Sequence, residues 1–151
     1  MNSIQKTAQE ISYAIGKEVE EYCALSEEIA WKCIGYVQGV FDDYTIQDWI
    51  VLPDDEESGH YDVFILGLDE LHCLRITGVR FESFFIPLES IKCITIIRTD
   101  AEPESYKVEW DTGINASSGS TRWEDLIEGA VFFYEVIKSV RDAKKKRRQL
   151  S

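Results

Sequence analysis

Between residues 121 and 143 apolar side chains recur every three or four positions: Trp123, Leu126, Ile127, Ala130, Phe133, Tyr134, Ile137 and Val140. That spacing places them on one stripe of a 3.6-residue helix. Thr121 and Glu124 form a capping-box pattern at its start, a device worth about 1 kcal/mol. Lys138, Arg141 and the basic run at 144–148 stand near its carbonyl end, where positive charge suits the helix dipole. Each large ring on the stripe represents roughly 3 kcal/mol of burial at about 25 cal/mol per Å². Such a stripe must be covered, so the rest of the chain has to supply an apolar wall.

The upstream sequence reads as that wall. A first helix is predicted over 3–23 from Ile4, Ala8, Ile11, Ile15, Val19 and Tyr22, with Asn2 or Ser3 as cap and Gly16 weakening it by roughly 1 kcal/mol. Residues 29–41 fit either period, and Gly35, Gly39 and the alternation of Ile29, Trp31, Cys33 and Val37 favour a strand. Strands follow at 45–52 and 61–67, forming a hairpin around the acidic loop 53–59. In the next strand, 71–79, His72, Leu74 and Ile76 share a face. A turn is expected at 80–83, then a strand start at 84–86 interrupted by Pro87. Residues 90–99 are apolar on both faces, which predicts a central strand. Tyr106, Val108 and Trp110 alternate with Lys107, Glu109 and Asp111, a half-buried strand, and 113–120 reads as a loop. Runs of strands without interleaved helices give an α+β class: an antiparallel, strongly bent sheet of six to seven strands closed by the C-terminal helix, with an additional N-terminal helix.

At 151 residues this is one domain, 1–143, followed by a basic flexible tail at 144–151. No long apolar run predicts a membrane span, and the first residues lack a secretory pattern, so a cytoplasmic location is expected. Cys23, Cys33, Cys73 and Cys93 lie in apolar segments without metal-ligand spacing and read as reduced core residues. The formal charge is −12, and setting aside the basic run at 144–148 makes the body more negative still. An acidic surface disfavours nucleic acid and anionic lipid and favours a basic protein partner.

The passage 71–96 resembles the middle of a PH-like or GRAM-like domain, carried by Ile86, Pro87, Leu88, Ser90 and Ile91 in an I-P-L-x-S-I pattern. The resemblance covers about 29–143. It implies a bent seven-stranded barrel capped by the helix at 121–143, with the long first hairpin loop at 54–59 or near Asp42. Phosphoinositide-binding members have a basic first loop, whereas this one is acidic, and the N-terminal helix is extra. Lipid-head recognition therefore does not transfer, and protein recognition along a strand edge or helix groove is what the resemblance leaves.

No nucleophile elbow, phosphate loop, dinucleotide fingerprint or metalloprotease motif occurs, and neither a cofactor nor a metal site is expected. His72 and Cys73 are adjacent on a strand and point to opposite faces, a poor catalytic couple. Asp42 and Asp43, and Asp54, Asp55, Glu56 and Glu57, lack the spacing of a calcium loop and are the candidate partner-binding residues. The leading reading is a non-enzymatic protein-interaction domain with an acidic surface. The alternatives are an immunity-type inhibitor or secretion-chaperone-like protein binding a basic partner, and a barrel binding a small molecule. The first helix offers a surface for homodimerisation.

Overall fold

A computed structural model describes residues 6–23, 26–55, 60–78, 80–97, 105–110, 115–119 and 123–150. The order is α1 (Ala8–Tyr22), α2 (Glu27–Val40), β1 (Asp48–Asp55), β2 (His60–Leu66), β3 (Glu70–Thr77), β4 (Arg80–Pro87), a 3-10 turn (Leu88–Ser90), β5 (Ile91–Ile97), β6 (Ser105–Trp110), β7 (Asn115–Gly119) and α3 (Trp123–Leu150). All strand pairs are antiparallel, in a four-stranded sheet β1-β2-β3-β4 and a three-stranded sheet β5-β6-β7. The class is α+β, as the sequence implies.

Strands β1 to β3 of the four-stranded sheet are buried on both faces, whereas β4 is mostly exposed. Ile50, Leu52, Phe64, Leu66, Leu71 and Cys73 point toward α3 and the second sheet, meeting Tyr106, Val108, Phe132, Phe133 and Val136. Their neighbours along the strands, Val51, Val63, Ile65, Leu74 and Ile76, point the other way, onto Ile11, Ile15 and Val19 of α1 and Cys33 and Val37 of α2. Period-two alternation therefore delivers two cores from one set of strands.

Several expectations are corrected. Residues 29–41 form α2, not a strand. Ile29, Ala30, Cys33, Ile34 and Val37 are its buried stripe, and Ser26 caps it by accepting from the Ile29 amide. A Cβ added at Gly35 or Gly39 meets nothing within 4 Å, so these glycines are open helix positions and not strand punctuation. The first helix starts later than 3, at a capping box in which Thr7 Oγ1 accepts from the Glu10 amide and the Glu10 carboxylate accepts from the Thr7 amide. The stripe Ile11, Ile15, Val19 is covered within the chain, by α2 and the sheet. Gly16 also has a packing reason, because a Cβ there would lie 2.6 Å from Ile34 Cδ1.

In the first sheet, β1 begins at Asp48 and runs through Asp55, so the acidic run starts inside the strand and the hairpin is tighter than expected. The chain reverses at Gly78 (φ 60°), not at 80–83: Thr77 pairs with Arg80, which already belongs to β4. The strand read as central, now β5, is an edge of the second sheet. Its Lys92, Cys93 and Ile97 are exposed, which also places Cys93 outside the core, whereas Cys23, Cys33 and Cys73 are buried. The loop expected at 113–120 contains β7, which pairs with β6 from Glu109↔Asn115 to Ser105↔Gly119. Nothing in Asn-Ala-Ser-Ser-Gly alternates, so only the edge offered by β6 makes it a strand.

The closing helix runs through Leu150, so the basic run at 144–148, read as a flexible tail, forms its last turns, with Arg147 Nη1 3.7 Å from Glu89 Oε1. Its Thr121 cap lies outside the described residues. The helix is also rotated from the predicted stripe: Ala130, Phe132, Phe133, Val136 and Val140 are buried, while Ile127, Val131 and Tyr134 are about half exposed. Gly129 explains the rotation. The buried Tyr106 ring lies so close to it that a Cβ would stand 2.7 Å from Tyr106 Cζ, so this glycine marks the line of closest approach. Tyr106 stacks on Phe133 at 4.6 Å and 19°, and Phe64 meets Phe133 edge-on at 5.4 Å.

Candidate functional site

The rotation leaves a second apolar ridge on α3, because Ile127, Val131 and Tyr134 recur at i, i+4, i+7 on the side turned from the core. Across from it lies α1, on the other side of the four-stranded sheet. Between the two helices runs the start of β1, Asp48 to Ile50, and the result is a cleft of about 390 Å³. Its floor is Ile11, Trp49 and Ile50; Ala14 and Glu18 of α1 form one wall, and Ile127, Glu128 and Val131 of α3 the other. The volume lies within the range of ligand pockets, roughly 300–1,000 Å³.

The rim is charged with one predominant sign. Glu18, Asp48 and Glu128 line the cleft, Glu135 acts on Asp48 from about two turns further along α3 than Glu128, and Lys6 is the single cation in the lining among the described residues. Burial pushes the Asp48 carboxyl above its usual range, and repulsion from Glu135 and Glu128 adds to this; the hydrogen bond from the Trp49 amide, 2.8 Å to Asp48 Oδ1, works against it. Like charges gathered beside apolar surface are unfavourable in the free protein, and a cation placed among them relieves the repulsion.

The acidic residues singled out in the sequence lie elsewhere. Asp42 and Asp43 are exposed between α2 and β1, and Asp43 Oδ1 accepts from the Ala8 amide at 2.9 Å, which ties the start of α1 to this turn. Asp54 and Asp55 end β1 at its far end, about 20 Å from Asp48 by the rise of a strand, so the two groups do not form one patch. Glu56 and Glu57 lie outside the described residues. The cleft residues Asp48, Glu128, Ile127 and Val131 were missed. A signal did exist, in that α3 carries more apolar residues than one buried stripe can use.

His72, Cys73, Cys33 and Asp62 are held inside packed surroundings. His72 is 3% exposed; its Nδ1 is 2.7 Å from Tyr36 Oη and its Nε2 3.6 Å from Glu70 Oε1. Phe41 and Phe85 flank the ring at 4.5 and 5.6 Å. Burial lowers the His72 pKa, opposed by Glu70, and raises the Tyr36 hydroxyl to about 12. Cys73 belongs to the opposite core, and the Cys33 thiol is pushed up to about 12 by burial, far from a nucleophile's range. Asp62, fully buried, pairs across strands with Arg75, whose Nε is 3.1 Å from its Oδ1 and whose guanidinium lies over Phe84. Among the described residues no three His, Cys, Asp or Glu side chains converge to hold a metal ion, and no helix is long and apolar enough to cross a membrane. Comparison with protein-family models, curated proteins and solved structures finds no match to this chain.

Proposed function

We propose that this chain is a non-enzymatic protein-interaction domain of PH-like architecture that takes a basic, amphipathic segment of a partner protein in the cleft between α1, β1 and α3. The observation that carries the reading is the cleft itself: an apolar floor at the start of β1, ringed by Glu18, Asp48 and Glu128. An apolar side chain of the partner covers Ile50 and the Ile127–Val131 ridge, while a neighbouring lysine or arginine lies among the carboxylates. Charge complementarity of this kind speeds association and excludes anionic competitors. Seven antiparallel strands followed by a closing helix is the order that the PH-like resemblance implies, and the approach of β1 to β7 supports that reading.

The test compares capture by the wild-type chain and by Val131→Glu, with release followed as salt rises. The expected result is a basic protein held by the wild type at low salt, lost from Val131→Glu, and released as ionic strength shortens the screening length below about 10 Å. Retention of the same protein by Val131→Glu, or release indifferent to salt, overturns the reading.

A further inference from the structure

The other flank of α1 carries a second groove, between α1 and α2, of about 260 Å³. Two large rings stand in it uncovered: Trp31 is 55% and Tyr13 46% exposed. They meet at right angles, 89° between planes, with centroids 6.4 Å apart. Their polar ends are tied down, since Trp31 Nε1 donates to Glu27 Oε1 at 3.4 Å and Tyr13 Oη accepts from Gln9 Nε2 at 3.5 Å. The rings are thus held while ring surface stays open to solvent. The floor is low because Gly16 has no side chain, and Ala30 and Ile34 complete it. Glu20 and Glu21 from the end of α1 and Glu27 from the start of α2 line the groove, against the one cation Lys17 among the described residues.

Open aromatic faces combined with carboxylates select among cations. A planar guanidinium stacks on an indole and forks to carboxylates at the same time, whereas a lysine ammonium is compact and strongly hydrated and gains less from the ring. We propose that the α1–α2 groove receives an arginine side chain of the basic partner, stacked on Trp31 with Tyr13 at its edge and its fork toward Glu20, Glu21 and Glu27. This rests on the reading of a basic partner and adds where its arginine sits. Helix α1 separates the two sites: Ile11, Ala14 and Glu18 face the cleft, and Tyr13, Gly16 and Lys17 face the groove. Crossing it requires about 10–12 Å, the width of a helix with its side chains. An extended segment covers that in about four residues, which sets the spacing between the partner's apolar anchor and its arginine.

The test needs no partner. The full chain, labelled with nitrogen-15, is titrated at constant ionic strength with N-acetyl-arginine amide, N-acetyl-lysine amide and tetramethylammonium. The Trp31 indole N–H is followed, assigned by its loss in Trp31→Phe. Arginine amide is expected to shift it saturably, about five-fold or more tighter than lysine amide, and Tyr13→Ala or the double change Glu20→Gln, Glu21→Gln is expected to weaken it by about ten-fold. Val131→Glu, which alters the cleft and lies outside this groove, leaves this titration unchanged, so the two sites can fail separately. Equal response to lysine and arginine, a tighter response to tetramethylammonium, or no saturable shift overturns the assignment.

Discussion

The two faces of the four-stranded sheet are covered by different materials. Toward α3 the core is aromatic and interlocked: Phe64, Tyr106, Phe132 and Phe133 contact one another at 4.6 to 6.3 Å, and the second sheet closes it from the far side. Toward α1 and α2 the buried core is mainly aliphatic and sulfur-bearing, with Ile11, Ile15, Val19, Cys33, Val37 and Val63; Tyr36 and Phe41 gather around His72 at the end of α2, and Trp49, Tyr61 and Phe81 pack, partly buried, at its margin. A stacked aromatic core tolerates little change of shape, whereas branched aliphatic side chains repack more readily. The difference teaches where this molecule can carry binding surface. Both grooves flank α1, the helix seated on the more adaptable core, while the rigid α3 core fixes the opposite wall of the cleft.

The largest test of that contrast is a pair of truncations. Phe133→Ala is expected to cost about 3–5 kcal/mol in urea unfolding, and Ile15→Ala less, nearer the low end of about 2–5 kcal/mol, because the α1–α2 layer can close over the gap. Equal losses would remove the distinction between the two cores. Next in size is Gly129→Ala, where a methyl group meets the buried Tyr106 ring. Overpacking there is expected to cost about 1–3 kcal/mol despite the gain in helix propensity, and a stabilised variant would show that α3 can slide.

A smaller effect belongs to the α1–α2 side. His72 has its pKa lowered from 6.5 by burial, so below that value the unfolded chain binds a proton that the folded chain resists. Stability is therefore full above pH 6.5 and falls as the pH drops through it toward the lowered folded value. Urea midpoints at pH 7.5 and 5.5 are expected to differ in the wild type by more than in His72→Leu; an unchanged difference would clear His72 of the effect. The smallest is at the cleft. Asp48 has a raised carboxyl pKa, so its charge opposes folding at neutral pH and the opposition is relieved as pH falls through the raised folded value toward the ordinary 3.8. Asp48→Asn is expected to gain stability at pH 7 while weakening capture of the basic partner, and a loss of stability would contradict the crowding of Asp48 by Glu128 and Glu135.

Much of the fold could be read from residue pattern, and the site could not. The alternation of Tyr106, Val108 and Trp110 gave the central strand of the second sheet its inward face, and His72, Leu74 and Ile76 share a face as their spacing requires. The cleft was hidden because it belongs to no segment. Asp48, Ile11 and Val131 are far apart in the chain, and each has an ordinary local reason to be where it is.

What the sequence determined by itself were the locally encoded features: the Thr7–Glu10 and Ser26 caps, the strand alternation, and the apolar excess of the last helix. These depend on groups a few residues apart, whose geometry the backbone period alone sets. Tertiary structure decided that 29–41 would be helix, that Asn115–Gly119 would become a strand, and which stripe of α3 would face inward. In each case two local solutions lay within about 1 kcal/mol per residue of each other, and a distant partner chose between them: the first sheet's outer face, the open edge of β6, and the Tyr106 ring that only Gly129 could admit.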